Sequence, residues 1–393
     1  MDLINTLLIF VSCILAIPTL VFAMQVLLAR VHVEPVDDGS GLRPSVAVLM
    51  PAHNEARVIE DTLASIMPQL WEKDRVIVVA DNCSDNTAAL AAKMGAIVIE
   101  RQDEVRRGKG YALDFGLRFL ADNKPPQIVV VIDADCQLAP ASLDTLARRA
   151  DKQNRPVQAL YLMEAPKNHS LSLAIAEFAW RVKNQVRPLG MLGLRLPCQL
   201  MGTGMAFRWT LLQQADLAHG NMVEDMKLGI DLALRGFPPV FCPDALVTSE
   251  FPTSEQVSAK QRTRWEHGHL AMILAGAPQM FKVAIQQRNL SLLAMALDLG
   301  VPPLSALGLA LVFGLLAASL FASVSDAAAA FWIMAGMNGI FAVAVLHAWY
   351  SFGREILALK TLCVMPLYML RKIPLYLAFV MKRQQGWVKT ERR

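Results

Sequence analysis

Two aspartates separated by a single residue are the first candidates for chemistry in this chain. Asp133 and Asp135 follow the apolar run Val-Val-Val-Ile at 129–132. Two carboxylates this close repel each other unless a cation lies between them. Carboxylate oxygens are hard ligands that suit Mg²⁺ or Mn²⁺. The pair therefore predicts a divalent metal site.

Four further acidic residues stand after a predicted strand or at the start of a helix-like segment. Glu55 ends the run Pro-Ala-His-Asn-Glu, Asp81 opens Asp-Asn-Cys-Ser-Asp-Asn-Thr, and Glu224 and Asp225 precede a helix-like segment. Helix capping explains any one of the strand-end positions as well as a binding role does. The Glu-Asp pair has an equally ordinary alternative, which is stabilisation of a helix N-terminus by negative charge.

A basic glycine-containing run, Arg-Arg-Gly-Lys-Gly at 106–110, opens another helix-like segment and includes Lys109. Backbone N–H groups at a helix N-terminus and basic side chains together form an anion site. Such a run alone is also common in solvated loops, but beside a metal site it predicts a contact with a diphosphate. The chain has no P-loop sequence, and no Gly-x-Gly-x-x-Gly follows its first strand. The usual signatures of ATPases and dinucleotide enzymes are therefore absent.

The residues near position 265 are spaced to share one face of a helix, and this face has two alternative interpretations. Gln261, Arg264 and Trp265 stand at i, i+3 and i+4 and share one face of a helix. The arginine and the tryptophan either form a packed stack or offer a cation and a flat platform to a sugar phosphate. His267 and His269 stand two residues apart and do not face each other on a helix, so a metal-binding pair is not expected.

Alternating strands and helices would position these residues. Four apolar runs rich in β-branched residues alternate with helix-like segments, which predicts an α/β fold with a mainly parallel sheet. Ligands bind beyond the carboxyl ends of the strands in such sheets, where the acidic residues lie. The predicted strands are 45–50, 75–80, 96–100 and 127–132, and the predicted helices are 56–68, 84–94, 109–121 and 140–153.

The composition indicates that membrane segments are attached to this body. Of the residues, 54% are hydrophobic and 18% are charged, against about 25% charged in ordinary soluble domains. Residues 3–29 carry no charge and exceed the roughly 20 residues that span a bilayer, so they predict a retained transmembrane helix within residues 1–30. Two more apolar stretches, 290–324 and 327–350, predict a transmembrane hairpin.

The last apolar stretch, 361–381, is predicted to lie in the membrane interface. Arg371 and Lys372 stand near its middle, where each costs about 2.5–3.5 kcal/mol on insertion scales. With three spans and an interfacial helix, residues 288–381 form the membrane region. The body at 45–287 and the basic tail at 382–393 then both lie on the cytosolic side. This agrees with the positive-inside rule.

The charges and cysteines exclude other classes. The net charge is only +4, and its excess lies in the C-terminal tail, which favours an anionic membrane surface and not a nucleic acid. The six cysteines include no C-x-x-C pair, so neither a zinc site nor a disulfide framework is expected.

Taken in order, the motifs resemble those of membrane-integrated family 2 glycosyltransferases. This group includes cellulose, chitin, hyaluronan and poly-N-acetylglucosamine synthases and ceramide glucosyltransferases. The resemblance implies a GT-A-type fold and an inverting transfer from a nucleotide diphosphate sugar, with UDP as the favoured nucleotide. The motifs are Pro-Ala-His-Asn-Glu at 51–55, Asp81 with its Asn-Cys-Ser-Asp-Asn-Thr turn, Asp133-Ala-Asp135, Glu224-Asp225 and Gln261-x-x-Arg264-Trp265.

The resemblance also implies a role for each matching residue. It implies that Asp225 is the general base and that Asp133 and Asp135 hold Mg²⁺ or Mn²⁺ on the donor diphosphate. It also implies that Glu55 and Asp81 contact the base and ribose of the nucleotide. Asp133, Lys109, Gln261 and Arg264 are implied to contact the donor nucleotide and its diphosphate. Glu224 and Trp265 are implied to contact the acceptor. One departure is the turn after Asp81, where many relatives have Asp-Asp-Gly-Ser.

The resemblance implies a bacterial inner-membrane enzyme whose catalytic domain is cytosolic and whose acceptor is a saccharide or a lipid-linked saccharide, in exopolysaccharide or cell-surface glycan synthesis. Three spans make a narrow channel, so export of a polymer would need further protomers of this chain or a separate export partner. A glycolipid synthase acting on ceramide, diacylglycerol or a hopanoid-type lipid is the close alternative. A non-catalytic sugar-nucleotide-binding subunit would be expected to lose the acidic motifs, and they are present.

Overall fold

Two units make up the chain in the computed structural model, which describes residues 2–29, 42–166, 170–221, 223–252, 254–325 and 327–381. The sheet unit contains the described residues of Val33–Lys167 and Leu196–Gly268. The helical unit contains those of Met1–His32, Asn168–Arg195 and His269–Gln384. Helices and strands are numbered below along the whole chain.

Eight strands form one mixed sheet in the sheet unit, with the order β3-β2-β1-β4-β7-β6-β8-β5. Strands β3, β2, β1 and β4 are mutually parallel, as are β6 and β8, while β7 runs antiparallel to both of its neighbours and β5 to β8. The predicted mainly parallel sheet is therefore confirmed. The strands are β1 (Val46–Ala52), β2 (Arg75–Asp81), β3 (Ile97–Arg101), β4 (Ile128–Val131), β5 (Gln137–Leu138), β6 (Val157–Glu164), β7 (Met205–Arg208) and β8 (Val240–Glu250).

Four helices of the sheet unit coincide with the predicted segments 56–68, 84–94, 109–121 and 140–153. Helix α4 (Lys109–Asp122) packs closely on β1 and β2: a Cβ at Gly116 would lie 2.3 Å from Leu49 Cδ1 and 3.0 Å from Val79 Cγ2. This contact fixes the first residue of α4, Lys109, near the carboxyl edge of the sheet. The helices are α2 (Ile59–Ile66), α3 (Thr87–Lys93), α4 (Lys109–Asp122), α5 (Ser142–Gln153), α8 (Trp209–Leu212), α9 (Glu224–Leu234) and the first part of α10 (Glu255–Gln287).

The helical unit is built from apolar helices that form more than one buried cluster. Phe22 and Val26 of its first helix, Phe178, and Ala344 and Ala348 belong to a single buried cluster. A π-helical turn at Val182–Val186 separates α6 (Leu171–Arg181) from α7 (Arg187–Gly193). The helices are α1 (Asp2–Leu28), α6 (Leu171–Arg181), α7 (Arg187–Gly193), the second part of α10, α11 (Leu290–Leu299), α12 (Leu304–Ser323), α13 (Ala329–Phe352), α14 (Leu359–Leu362), α15 (Met365–Leu370) and α16 (Ile373–Met381).

A buried polar network joins three helices of the helical unit. Arg187 Nη2 donates to both Asp298 Oδ1 and the Asp298 carbonyl over 2.7 Å, and its Nε donates to Gln25 Oε1 over 2.9 Å. Gln25 Nε2 donates to Asp298 Oδ1 over 2.7 Å. The charge of Asp298, which interrupts an apolar stretch of the sequence, is therefore paired, and this pairing offsets the cost of its burial.

Five helical stretches are long and apolar enough to cross a membrane, among the described residues. Three of them coincide with the predicted spans, and the prolines at 302 and 303 divide the predicted second segment into α11 and α12. The structure adds a stretch in α10, which the sequence analysis assigned to the soluble body, and the segment predicted to be interfacial. The number of spans stays a prediction, as do the domain boundaries, and the basic tail lies outside the described residues. The five stretches are Asp2–Leu28, Ala259–Gln287, Leu304–Ser323, Ala329–Phe352 and Leu359–Met381.

Candidate active site

The predicted metal pair lies at the end of β4, beside a loop that the sequence analysis left without a role. The N–H of Asp133 donates to Thr203 Oγ1 over 3.0 Å, and the N–H of Gly204 donates to the carbonyl of Val131 over 2.9 Å. Thr203 is fully buried. The loop containing Thr203 therefore holds the backbone on which Asp133 stands.

Three potential ligand atoms gather at this strand end. One oxygen each from Asp133 and Asp135 and the sulfur of Cys136 all lie within 4.8 Å of one another. Burial, followed by the negative charges of the two aspartates, raises the pKa of Cys136 well above its usual value, so the thiol stays neutral. Burial and the Asp135 charge also raise the pKa of Asp133, against the attraction of Lys109. Two carboxylate donors held this close fit a hard divalent cation.

Lys109 connects the two acidic pairs. Its Nζ lies 2.6 Å from Asp133 Oδ1 and 3.6 Å from Glu224 Oε1, and it donates to the Gly202 carbonyl over 2.8 Å. Burial alone would lower the pKa of Lys109, but the charges of Asp133 and Glu224 outweigh it and raise that pKa above its ordinary value. The side chain therefore places a permanent positive charge between the carboxylates.

Glu224 and Asp225 occupy the first turn of α9, and both lie near the ammonium group of Lys109. The pKa of Glu224 is raised to about 7, mainly by burial. The charge of Lys109 lowers this pKa, and the charge of Asp225 raises it. Gly202 has a φ of +95°, and a Cβ there would lie 3.4 Å from Asp225 Oδ2 and 3.7 Å from Lys109 Nζ. Asp225 and Lys109 thus flank Gly202, a residue whose only sequence signal was its place in the run Gly-Thr-Gly.

Asp81 lies at the end of β2 in an ion pair that the sequence analysis missed. Arg101 Nη1, at the end of β3, contacts Asp81 Oδ1 at 2.7 Å. Asp81 Oδ1 also accepts from Asn82 Nδ2 over 2.9 Å, and a ring nitrogen of His53 lies 2.7 Å from the Asp81 carbonyl. Arg101 was hidden from sequence analysis because its partner comes from a neighbouring strand.

Glu55 stands in the turn after β1, beside the end of β2. Its N–H donates to Thr87 Oγ1 over 2.8 Å, and Asp85 accepts from the backbone N–H groups of Thr87 and Ala56. Although burial raises the pKa of Asp85, these hydrogen bonds and one from the Thr87 hydroxyl lower it below its ordinary value. The structure therefore brings Glu55 and Asp81 to adjacent strand ends.

The Gln-x-x-Arg-Trp residues occupy an early part of α10. Gln261 is buried, and its Oε1 has no hydrogen-bond partner among the described residues; Arg264 and Trp265 are half-buried. One turn further on, a Cβ at Gly268 would lie 2.6 Å from Val223 Cγ1. Because Val223 directly precedes the Glu-Asp pair, α10 passes close to the start of α9.

Comparisons with known proteins show the family to which the chain belongs. A family model described as "Glycosyltransferase like family 2" matches residues 44–268, more than half of the chain. The "Probable glycosyltransferase YdaM" of Bacillus subtilis (strain 168) is 28% identical over 258 residues, which are 61% of this chain and 59% of that protein. A poly-beta-1,6-N-acetyl-D-glucosamine synthase of Staphylococcus aureus (strain COL) is 25% identical over 251 residues, 58% of this chain and 55% of that protein. The matched parts therefore span less than two thirds of these relatives.

A solved structure shares the fold. The mannosyltransferase PcManGT from Pyrobaculum calidifontis, in complex with GDP-Man and Mn²⁺, superposes with a TM-score of 0.55 at 19% identity. The superposition covers 88% of this chain and 97% of that one. Together with the mixed, mostly parallel sheet, this confirms the expected GT-A-type fold. The chain belongs to the glycosyltransferase-like family 2.

Proposed function

We propose that this protein is an inverting, metal-dependent glycosyltransferase. It moves a sugar from a nucleotide diphosphate sugar, a UDP-sugar, to a saccharide or lipid-linked saccharide acceptor during exopolysaccharide or cell-surface glycan synthesis. The observation that carries this proposal is the cluster at the carboxyl edge of the sheet. There Lys109 lies 2.6 Å from Asp133 and 3.6 Å from Glu224, and Asp225 flanks the same glycine as Lys109.

Asp225 is the proposed general base. A sugar hydroxyl is a weak nucleophile, and a positioned base contributes about 10²–10⁴-fold to such reactions. The acceptor oxygen attacks the anomeric carbon while the bond from that carbon to the diphosphate oxygen breaks. The hydroxyl proton passes to Asp225, and the nucleoside diphosphate departs. Inversion in one displacement requires no covalent enzyme intermediate.

The departing diphosphate requires positive charge, and this chain supplies it in two ways. Lys109 remains protonated beside Asp133. Asp133 and Asp135 would hold Mg²⁺ or Mn²⁺, which supplies further stabilisation of negative charge. Gln261 and Arg264 are proposed to line the diphosphate from α10.

The remaining site residues are proposed to recognise the two ends of the substrates. Glu55 and Asp81, at adjacent strand ends, bind the base and ribose of the donor. Trp265 offers a sugar-stacking platform on α10, and Glu224 stands directly before the proposed base, where an acceptor hydroxyl must approach.

The apolar helices support a membrane setting. We propose that the protein lies in a bacterial inner membrane, that its sheet unit is cytosolic, and that membrane lipid surrounds its apolar helices. The same helices favour a second candidate function, a glycolipid synthase whose acceptor is itself a lipid. Export of a polymer would need association with further copies of the chain or with an export partner.

Nucleotide release by the detergent-purified full chain tests this proposal. A panel of UDP-, GDP- and dTDP-sugars is supplied with Mg²⁺ or Mn²⁺ and a membrane lipid extract as the source of acceptor, and Asp225→Asn serves as the control. We expect release from one donor that the variant lacks, and labelled product in organic solvent would identify a glycolipid. No release from any donor while nucleotide still binds would favour a non-catalytic binding subunit, and equal turnover in the variant would remove Asp225 from the mechanism.

A further inference from the structure

Gln158 is a fully buried glutamine on β6, and its side-chain amide bonds to three backbone groups. Its Oε1 accepts from the N–H of Met201 over 2.8 Å. Its Nε2 donates to the carbonyls of Thr203 and Ala159, over 2.9 Å in each case. An amide oxygen accepts hydrogen bonds and an amide nitrogen donates them, so these partners fix one orientation of the side chain.

The backbone on both sides of Gly202 is held by this glutamine. Met201 precedes Gly202 and Thr203 follows it, and Gln158 bonds to both. The next residue, Gly204, is held by backbone hydrogen bonds to β4 and β6 instead. Glycine restricts its own dihedral angles least of all residues. The bonds to its neighbours therefore decide where the Gly202 carbonyl points.

Two groups of this loop contact the charged residues of the site. The Gly202 carbonyl accepts from Lys109 Nζ over 2.8 Å, and Thr203 Oγ1 accepts from the N–H of Asp133 over 3.0 Å. Lys109 Nζ in turn lies 2.6 Å from Asp133 Oδ1. A chain of hydrogen bonds thus runs from Gln158 through the loop to the ammonium group and to the backbone of a proposed metal ligand.

We propose that Gln158 is a positioning residue for binding of the donor diphosphate. Because it is fully buried, it acts without touching the substrate, through the Gly202 carbonyl and the Thr203 hydroxyl, which set the positions of Lys109 and Asp133. Loss of the amide leaves two backbone groups of the loop unpaired, and the loop then shifts to regain partners. The inference rests on the proposed function, in which Lys109 and Asp133 act on that diphosphate.

Titration calorimetry of the purified full chain with UDP and with GDP, each in the presence of Mn²⁺, tests the inference. The variants Gln158→Met and Lys109→Met and the double variant form a double-mutant cycle. Methionine keeps the length of glutamine but provides no amide. The control is Gln127→Met, which removes an acceptor of the Ser45 N–H, over 3.0 Å, at the opposite edge of the sheet.

We expect Gln158→Met to weaken binding of the preferred nucleotide by about tenfold or more, the effect of displacing a hydrogen bond to a charged group. In the Lys109→Met background the same substitution should add only about a threefold loss, because the ammonium group through which Gln158 acts is gone. A purely structural role would instead give the same factor in both backgrounds. Gln127→Met should bind as the wild type does.

Several results would overturn the inference. Wild-type affinity in Gln158→Met would contradict it, and so would equal losses in the presence and absence of Lys109. If Gln158→Met does not fold in thermal unfolding, Gln158→Asn takes its place in the cycle, because the shorter amide cannot reach both Met201 and Thr203. Failure of the proposed function would look different, because the wild type would then bind neither nucleotide, and the inference would fall with it.

Discussion

A methyl group added at Gly202 would probe the space between the proposed base and the ammonium group. The Cβ of an alanine would lie 3.4 Å from Asp225 Oδ2 and 3.7 Å from Lys109 Nζ. Both separations are ordinary van der Waals contacts, so neither side chain has to move. The methyl would instead fill the position where the proposed mechanism requires reacting groups of the substrates.

The structure also offers a matched control for the backbone cost. Gly202 has a φ of +95°, and Gly236 has a φ of +92° with no atom within 4 Å of its Cβ position. An alanine at such a φ costs about 1–2 kcal/mol, which lowers Tm by about 2–8 °C in a domain of this size. Gly202→Ala and Gly236→Ala should therefore lose similar stability. Only Gly202→Ala should lose activity, by about 10²-fold in kcat/KM if the substrates are displaced by about 1 Å.

The assay measures nucleotide release against donor concentration for both variants, after thermal unfolding has shown that their Tm values agree. A loss confined to Gly202→Ala would support the placement of the reaction between Asp225 and Lys109. Equal turnover in the two variants would refute it, because the methyl would then fill space that no reacting group uses.

Three other substitutions test separate parts of the molecule. Asp135→Ala should abolish Mn²⁺-dependent nucleotide binding, and calorimetry that shows wild-type affinity with Mn²⁺ would contradict the metal assignment. Trp265→Ala should reduce transfer to acceptor more than hydrolysis of donor, and equal losses in both activities would make this tryptophan purely structural. Arg187→Met should lower the free energy of unfolding by about 3–5 kcal/mol, because it leaves the buried charge of Asp298 without an opposite charge. The surface variant Lys227→Met should cost only about 0.3–0.5 kcal/mol by comparison in thermal unfolding.

The first four strands and the helices that follow them were predictable because each is marked by a pattern within a short stretch of sequence. The runs that became β1, β2, β3 and β4 are rich in β-branched residues, and the structure places each within two residues of its predicted bounds. The sequence analysis did not predict the other half of the sheet. Strand β5 has only two residues, too few to show a period. The insertion of antiparallel β7 between β4 and β6 depends on contacts between distant segments.

The missed functional candidates share one physical reason. Arg101 ends the sequence Ile-Val-Ile-Glu-Arg, where a charged residue suggests a solvent-exposed strand end. Its burial follows from strand register, which places it opposite Asp81. Gly202 and Thr203 likewise acquire their positions from the pairing of β4 with β7, since the loop before β7 is thereby brought beside Asp133. Sequence patterns identify residue types, whereas these neighbours are set by the order of strands.

The site carries more acidic than basic groups, so binding of an anionic donor requires additional positive charge. Asp133, Glu224 and Asp225 gather around the ammonium group of Lys109, and Asp135 lies beside Asp133. The raised pKa values of Asp133 and Glu224 reflect their burial first and then this crowding of negative charge. A diphosphate brings further negative charge, which such a site would repel on its own. Lys109 already bonds to Asp133 and to the Gly202 carbonyl, so its one charge is shared before any donor arrives. In the proposed mechanism, the position of Asp135 beside Asp133 reconciles an acidic site with an anionic substrate, since the two carboxylates together would hold an additional cation.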